Sequence, residues 1–110
     1  MEIDQERAAK IAELNDNFRR TLQGGKLLLT ASVQASPFTG RICELVREFN
    51  DFSEDNDPYG EHDFGAVEYR GVGYFFKIDY YDLEYKYLSR EPANEIVTNR
   101  VLTIMRADEY

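Results

Sequence analysis

Two strand-like segments in the second half of the chain constrain the fold most strongly. Residues 64–70 and 74–81 are typical of strands, and Gly71-Val72-Gly73 joins them. A short link that contains glycine between two such segments predicts a β-hairpin. With Gly71-Val72 as the loop, one apolar face is formed by the pairs Tyr69 with Tyr74, Val67 with Phe76 and Gly65 with Ile78. This hairpin predicts an antiparallel sheet with one face suited to a core.

Two segments of the first half predict helices that could cover this face. Residues 4–22 have Asp4 as a plausible N-cap and an apolar stripe at helical spacing, formed by Ala8, Ile11, Leu14 (or Asn15), Phe18 and Leu22. Gly24-Gly25 predicts the end of this helix, because glycine adopts the left-handed cap without steric cost. The second helix is expected to begin at Ser36-Pro37 and to present the stripe Ile42, Leu45, Val46 and Phe49.

The remaining apolar runs complete the predicted fold. Residues 26–33 and 101–107 are typical of strands, and residues 83–88 of a further strand or irregular segment that Pro92 ends. The element order is then α-β-α-β-β-β-β. We expect an α+β fold, with two helices packed on one antiparallel β-sheet, in a single domain over residues 1–110.

Composition excludes several classes of protein. The chain has 21 acidic and 13 basic residues, a net charge of −8, which argues against direct nucleic-acid binding through a basic face. No apolar run approaches the ~20 residues of a membrane helix, and the first six residues do not form a secretory signal. One cysteine allows no internal disulfide, which fits a reducing compartment. We therefore expect a cytoplasmic protein without a membrane or cofactor.

The negative charge is concentrated between Asp51 and Asp63. These thirteen residues contain six carboxylates and no Lys or Arg, so the carboxylates repel one another unless a cation lies among them. Asn56-Asp57-Pro58-Tyr59-Gly60 within them is typical of a turn. The spacing from Asp55 resembles the start of a calcium loop, but its twelfth residue is Ala66 instead of Glu. An EF-hand is excluded, and no metal site is predicted.

His62 is the only histidine, and it lies between Glu61 and Asp63. In the predicted hairpin register Asp79 lies near it. A histidine among carboxylates can act as a general base or bind a metal. It can also order a loop by bonding Asp79, a backbone carbonyl or a tyrosine hydroxyl. Cys43, beside the stripe of the second helix, is typical of a small apolar core residue, with a nucleophile as the alternative.

Tyrosines are clustered near the acidic residues. Six of the eight lie between Tyr69 and Tyr87, too many for all of them to point into a core. A surface of tyrosines and carboxylates suits recognition of a basic protein surface, because tyrosine gives rigid contact area and carboxylates give charge matching. The predicted partner-binding residues are Asp55, Asp57, Tyr59, Glu61, His62, Asp63, Asp79 and Asp82.

Several segments resemble a known family. They are Leu14-Asn15-Asp16, residues 24–31, the run Asn-Asp-Pro-Tyr-Gly-Glu-His-Asp-Phe-Gly at 56–65, Lys-Ile-Asp-Tyr-Tyr-Asp at 77–82, and residues 100–110. Together they are similar to a bacterial family of small single-domain proteins of unknown function. Its members occur largely in alphaproteobacteria and often on mobile elements. The resemblance implies no activity, cofactor or catalytic residue.

Two functional hypotheses remain open. In the first, the protein is a non-catalytic interaction module for a basic surface, and could act as a DNA-mimic-like inhibitor of a nucleic-acid-handling or defence complex. In the second, it is a small metal-binding or hydrolytic enzyme centred on His62, Asp63 and Asp79. The partner, the substrate and the oligomeric state stay open.

Overall fold

The computed structural model describes residues 4–110 and has an α+β fold, as the sequence predicts. Its helices and strands are α1 (Gln5–Thr21), β1 (Gly25–Leu29), α2 (Ala31–Ala35), α3 (Thr39–Glu48), β2 (Phe64–Tyr69), β3 (Val72–Tyr81) and β4 (Asn99–Arg106). Short 3-10 helices cover Glu95–Val97 and Ala107–Glu109. The prediction of two helices is wrong, since three α-helices are present in the described residues.

The four strands form one sheet in the order β1-β4-β3-β2. β3 pairs antiparallel with both β2 and β4, whereas β1 runs parallel to β4 with Leu27 opposite Leu102. The sheet is therefore mixed, and the prediction of a purely antiparallel sheet is wrong. A parallel pair needs a long crossover, and the chain between β1 and β4 includes both α2 and α3 together with the hairpin.

The predicted hairpin is present, but its turn lies one residue earlier than expected. The two turn residues are Arg70 and Gly71, with φ of 52° and 79°, and Tyr69 pairs with Val72. Positive φ at both central residues is typical of the tight turns that fit twisted hairpins. The register differs by two residues from the prediction, so every side chain keeps its predicted face. Tyr74, for example, is buried.

The first helix agrees with the prediction at its start and differs at its end. Asp4 is the N-cap and accepts a hydrogen bond from the Arg7 amide at 3.0 Å. Leu22, with φ of 60°, takes the left-handed cap, and its amide donates to the Phe18 carbonyl at 2.7 Å. The helix therefore ends at Thr21, three residues before Gly24, while Gly25 already belongs to β1.

The segment after β1 is helical where a strand is predicted. Residues 31–33 begin α2, so the expected strand over 26–33 stops at Leu29. Ser36 and Pro37 separate α2 from α3 instead of starting a helix, and the Ser36 hydroxyl accepts a hydrogen bond from the Phe38 amide at 3.0 Å. The predicted stripe of α3 is confirmed, since Ile42 and Val46 are fully buried.

The other two expected strands differ in outcome. Residues 83–88 form no strand beyond one bridge between Tyr81 and Leu88. The predicted order α-β-α-β-β-β-β is therefore wrong, and the described residues have the order α-β-α-α-β-β-β. The last strand is confirmed as β4, which starts at Asn99 and ends at Arg106.

All three helices pack on one face of the sheet. The buried cluster contains Phe18 from α1, Val33 from α2, Ile42 and Val46 from α3, and Tyr74, Phe76, Ile78, Leu102 and Ile104 from the strands. Each large apolar side chain buried in this way contributes about 1.5–3 kcal/mol to folding. Within residues 4–110, no helix has the length and apolar character needed to cross a bilayer.

Candidate functional site

The acidic loop, residues 51–63, connects α3 to β2 and is held in shape by its own polar groups. Asn56 Oδ1 accepts a hydrogen bond from the Ser53 amide at 2.8 Å, and Asn56 Nδ2 donates to the Asp51 carbonyl at 2.8 Å. The Asp57 amide donates to the Ser53 carbonyl at 2.8 Å. Asn and Asp side chains that bond nearby backbone favour such turns over regular structure. The loop therefore presents its carboxylates from a defined backbone.

Asp57 anchors the second half of the acidic loop. It is 9% exposed, and both carboxylate oxygens lie 3.2 Å from the backbone nitrogen of His62, which donates to them. Gly60 and His62 have φ of 70° and 58°, and the Gly60 amide donates to the Asp57 carbonyl at 3.0 Å. A left-handed backbone is uncommon for histidine, so these bonds hold His62 in place. The Asp57 carboxylate thus stabilises the conformation of the loop by accepting a hydrogen bond from its backbone.

His62 fastens the acidic loop to α1. Its ring stacks on Phe52 with centroids 3.9 Å apart and planes 3° from parallel. Nδ1 lies 3.0 Å from both oxygens of Asp16, and since a carboxylate only accepts, Nδ1 is the donor. Nε2 lies 3.7 Å from Asp57 Oδ2. Both ring nitrogens therefore face carboxylates, and the ring connects the acidic loop to Asp16 on α1.

Asp16 also faces a buried arginine on the same helix. Arg19 Nη1 lies 3.1 Å from Asp16 Oδ1, an ion pair whose angle falls outside that of a hydrogen bond, and Nε has no partner among the described residues. Nη2 donates to the Phe49 carbonyl at 2.9 Å, and the guanidinium lies 5.4 Å from the ring centres of Phe52 and Phe76. Burial lowers the pKa of Arg19, and Asp16 opposes that shift.

A second polar network joins α1, the acidic loop, β3 and β4. Asn15 is fully buried, and its Nδ2 donates to the Glu61 carbonyl at 2.9 Å and to the Tyr80 hydroxyl at 2.8 Å. Its Oδ1 accepts from Arg100 Nε at 2.7 Å. The Tyr80 hydroxyl in turn donates to Glu61 Oε1 at 2.9 Å. Burial raises the pKa of Tyr80, so its hydroxyl stays protonated and remains a donor.

The outer carboxylates of the acidic loop lack cationic neighbours. Among residues 4–110, no Lys or Arg forms an ion pair with any of the six acidic side chains of the loop. Burial raises the pKa of Asp63, and the charges of Glu61, Asp57 and Asp79 raise it further. These residues repel one another, so a cationic partner would lower the free energy of the surface.

The eight predicted partner-binding residues lie in different environments. Asp55 is exposed, and Tyr59 is 67% exposed. Asp79 pairs with Lys77 at 2.9 Å and does not bond His62. Asp82 Oδ1 accepts from the Lys86 amide at 3.0 Å, and Asp82 lines a separate depression with Leu83 and Leu88.

The described part of the chain has no set of side chains arranged to bind a metal ion. Within residues 4–110 no three His, Cys, Asp or Glu side chains are placed to hold one metal ion. Cys43 is partly buried against the core, and burial raises the pKa of its thiol, which disfavours the thiolate.

Sequence reasoning missed the partners beneath the loop. Asn15, Asp16 and Arg19 on α1, with Tyr80 and Arg100 on the sheet, hold the loop but were not predicted as site residues. One pattern could have found the first of them. Asn15 lies on the apolar stripe of α1, between Ile11 and Phe18, where a polar residue needs buried partners.

The fold and this site define an α+β domain with an ordered acidic loop fastened over two buried arginines. The family described as protein of unknown function (DUF3768) matches residues 29–109, so the chain belongs to that family. No curated protein and no solved structure matches the chain. The family match confirms the resemblance to a family of unknown function.

Proposed function

We propose that this protein is a non-catalytic interaction module whose acidic loop binds a basic surface of a partner protein. The observation that carries this function is the set of unpaired carboxylates on an ordered loop. A flexible acidic segment would lose conformational entropy on binding, whereas this backbone is already fixed by Asn56 and Asp57.

Exposure divides the loop into an inner and an outer part. Asp57, Glu61 and His62 bond within the protein, as described above, and so support the loop. Asp51, Glu54 and Asp55 are exposed, and Tyr59 stands 67% exposed beside them. Outer carboxylates around an aromatic side chain match the rim and anchor of many interfaces. The contacts with a partner are therefore assigned to these four residues, with Asp63 next to them.

The enzymatic alternative has weaker support. A general base needs a ring nitrogen free to take a proton from a substrate. In His62, Nδ1 bonds Asp16 and Nε2 faces Asp57. This favours a structural role for His62 within an interaction module.

Charge reversal on the outer part of the loop tests the function. The variant Glu54→Lys/Asp55→Lys should weaken capture of a basic partner from the native host, and the control Glu68→Lys/Glu84→Lys should not. Both variants change the net charge equally, and all four residues are exposed. The loop variant loses two charge pairs at the rim of the interface and gains repulsion with the basic partner. We therefore expect roughly tenfold weaker binding at low salt, equivalent to about 1.4 kcal/mol.

Salt dependence tests whether exposed charges carry the binding, and competition with duplex DNA tests the DNA-mimic hypothesis. Binding through exposed charges should decline as salt shortens the screening length. If the loop acts as a DNA mimic, duplex DNA should displace the captured partner. Equal loss of binding in the loop variant and the control would show that net charge alone is responsible, and would refute the assignment to the loop.

A further inference from the structure

A cleft of about 450 Å³ lies beside the last turn of α1, away from the acidic loop. Its lining residues are Leu14, Asn17, Phe18, Thr21, Gln23, Gly24, Glu95, Thr98 and Arg100. This volume lies in the range of about 300–1,000 Å³ that small-molecule sites occupy. None of the lining residues belongs to residues 51–63, and Arg100 reaches that loop only through Asn15, so the cleft is distinct from the proposed interaction surface.

A buried positive charge forms part of the cleft wall. Arg100 is 3% exposed, with Nε donating to Asn15 Oδ1 at 2.7 Å and Nη2 donating to the Pro92 carbonyl at 2.6 Å. Among the described residues Nη1 has no hydrogen-bond partner, and no carboxylate forms an ion pair with this guanidinium. A buried charge without an opposite charge is costly. Arg100 would therefore gain from an anionic group placed in the cleft.

A negative charge lies on the same cleft. Glu95 is exposed, and no Lys, Arg or His among residues 4–110 forms an ion pair with it. Its charge nevertheless acts on Arg100, because burial lowers the pKa of Arg100 and Glu95 is among the groups that oppose this. Both residues line the cleft, and they form no ion pair with each other. A ligand with charges of both signs would fit between them.

We infer that this cleft binds a small zwitterion of the amino-acid class, with its carboxylate on Arg100 and its ammonium group on Glu95. Leu14 and Phe18 offer apolar surface for a hydrocarbon side chain. Glu95 disfavours a doubly charged anion such as phosphate, because it would repel the second negative charge.

Three matched probes test both the site and the class of ligand. L-leucine carries both charges, 4-methylpentanoate lacks the ammonium group, and leucinamide lacks the carboxylate. Amide chemical shifts are followed by NMR during titration to about 10 mM, where a site with a Kd near 1 mM is mostly filled. L-leucine should shift the amides of Gln23, Gly24 and Thr98, and should bind about tenfold more tightly than either analogue, equivalent to about 1.4 kcal/mol.

Two exposed variants locate the site without disturbing Arg100. Asn17→Phe narrows the cleft and should abolish the shifts, whereas Lys10→Phe, on an exposed position of α1 outside the cleft, should leave them unchanged. Glu95→Gln should reduce L-leucine to the affinity of 4-methylpentanoate. Equal binding of all three probes, insensitivity to Asn17→Phe, or no shift with L-leucine at about 10 mM would each overturn the inference.

Discussion

Replacing Asn15 by alanine should cost more stability than alanine at any exposed position of α1. The amide of Asn15 makes three hydrogen bonds, to the Glu61 carbonyl, the Tyr80 hydroxyl and Arg100 Nε. Truncation leaves Arg100 Nε buried without an acceptor, and a hydrogen bond to a charged group is worth about 1.5–3 kcal/mol. The Glu61 carbonyl also loses a donor, at about 1 kcal/mol. The Tyr80 hydroxyl keeps Glu61 as its acceptor.

The expected loss is therefore about 3 kcal/mol in the free energy of unfolding. Against a typical total of about 5–15 kcal/mol, this lowers Tm by about 12 °C for a domain of this size. Denaturant unfolding followed by circular dichroism measures the change. Asn17→Ala is the matched control, because Asn17 lies on the same helix but is exposed, and its change should stay within about 0.5 kcal/mol.

A local measurement separates loss of the network from general destabilisation. The His62 amide donates to Asp57 inside the acidic loop, so its hydrogen exchange reports opening of the loop. In Asn15→Ala this amide should exchange faster under conditions where the core amides of β3 remain protected. Equal stability of the two alanine variants, with unchanged exchange at His62, would refute the claim that Asn15 fastens the loop to α1.

Two further predictions concern packing and pH. Gly25→Ala should abolish stable folding, because the added Cβ would lie 1.8 Å from the Arg100 carbonyl oxygen. Gly40→Ala in α3 is the control: its Cβ would meet nothing within 4 Å, so thermal unfolding should show a protein more stable by about 0.5–1 kcal/mol. Burial raises the pKa of Asp63 above its ordinary 3.8 in the folded state, so the folded protein binds this proton more tightly than the unfolded chain. The contribution of Asp63 to the free energy of unfolding therefore falls as pH rises from about 3.8 through the raised pKa. Asp63→Asn should be more stable than the native chain at pH 7 and equal to it at pH 3, and a native chain that is the more stable at pH 7 would contradict this.

Local patterns predicted the parts of the fold that depend on neighbouring residues. The stripe and N-cap of α1 and the two faces of the hairpin follow from side-chain periodicity alone. The turn predicted at Gly71-Val72 lies at Arg70-Gly71, where Arg70 takes a left-handed conformation that residues other than glycine seldom adopt. Because that error moved the register by two residues, it did not change which side chains face the core.

The pairing of strands that are distant in the chain was harder to predict from the sequence than local structure. The run at 26–33 is apolar throughout, so periodicity could not separate the strand from the helix that follows it. The parallel pairing of β1 with β4 joins residues about 75 positions apart, for example Leu27 and Leu102, and no local pattern encodes it. The candidate site shows the same limit. Residues 51–63 were predicted as acidic, but Asn15 and Arg100, which hold them, are distant in sequence.

The positions of the buried cations explain how so acidic a loop can stay folded. Arg19 lies over the Phe52 ring of the loop, Arg100 reaches the loop through Asn15, and each is nearly excluded from solvent. Their charges act through a medium of low dielectric, so they attract the inner carboxylates more strongly than exposed cations would. Asp16 pairs with Arg19, and Glu61 opposes the lowering of the Arg100 pKa that burial causes. The buried charge thus stabilises Asp16, which holds His62, and acts on Glu61 at the inner face of the loop.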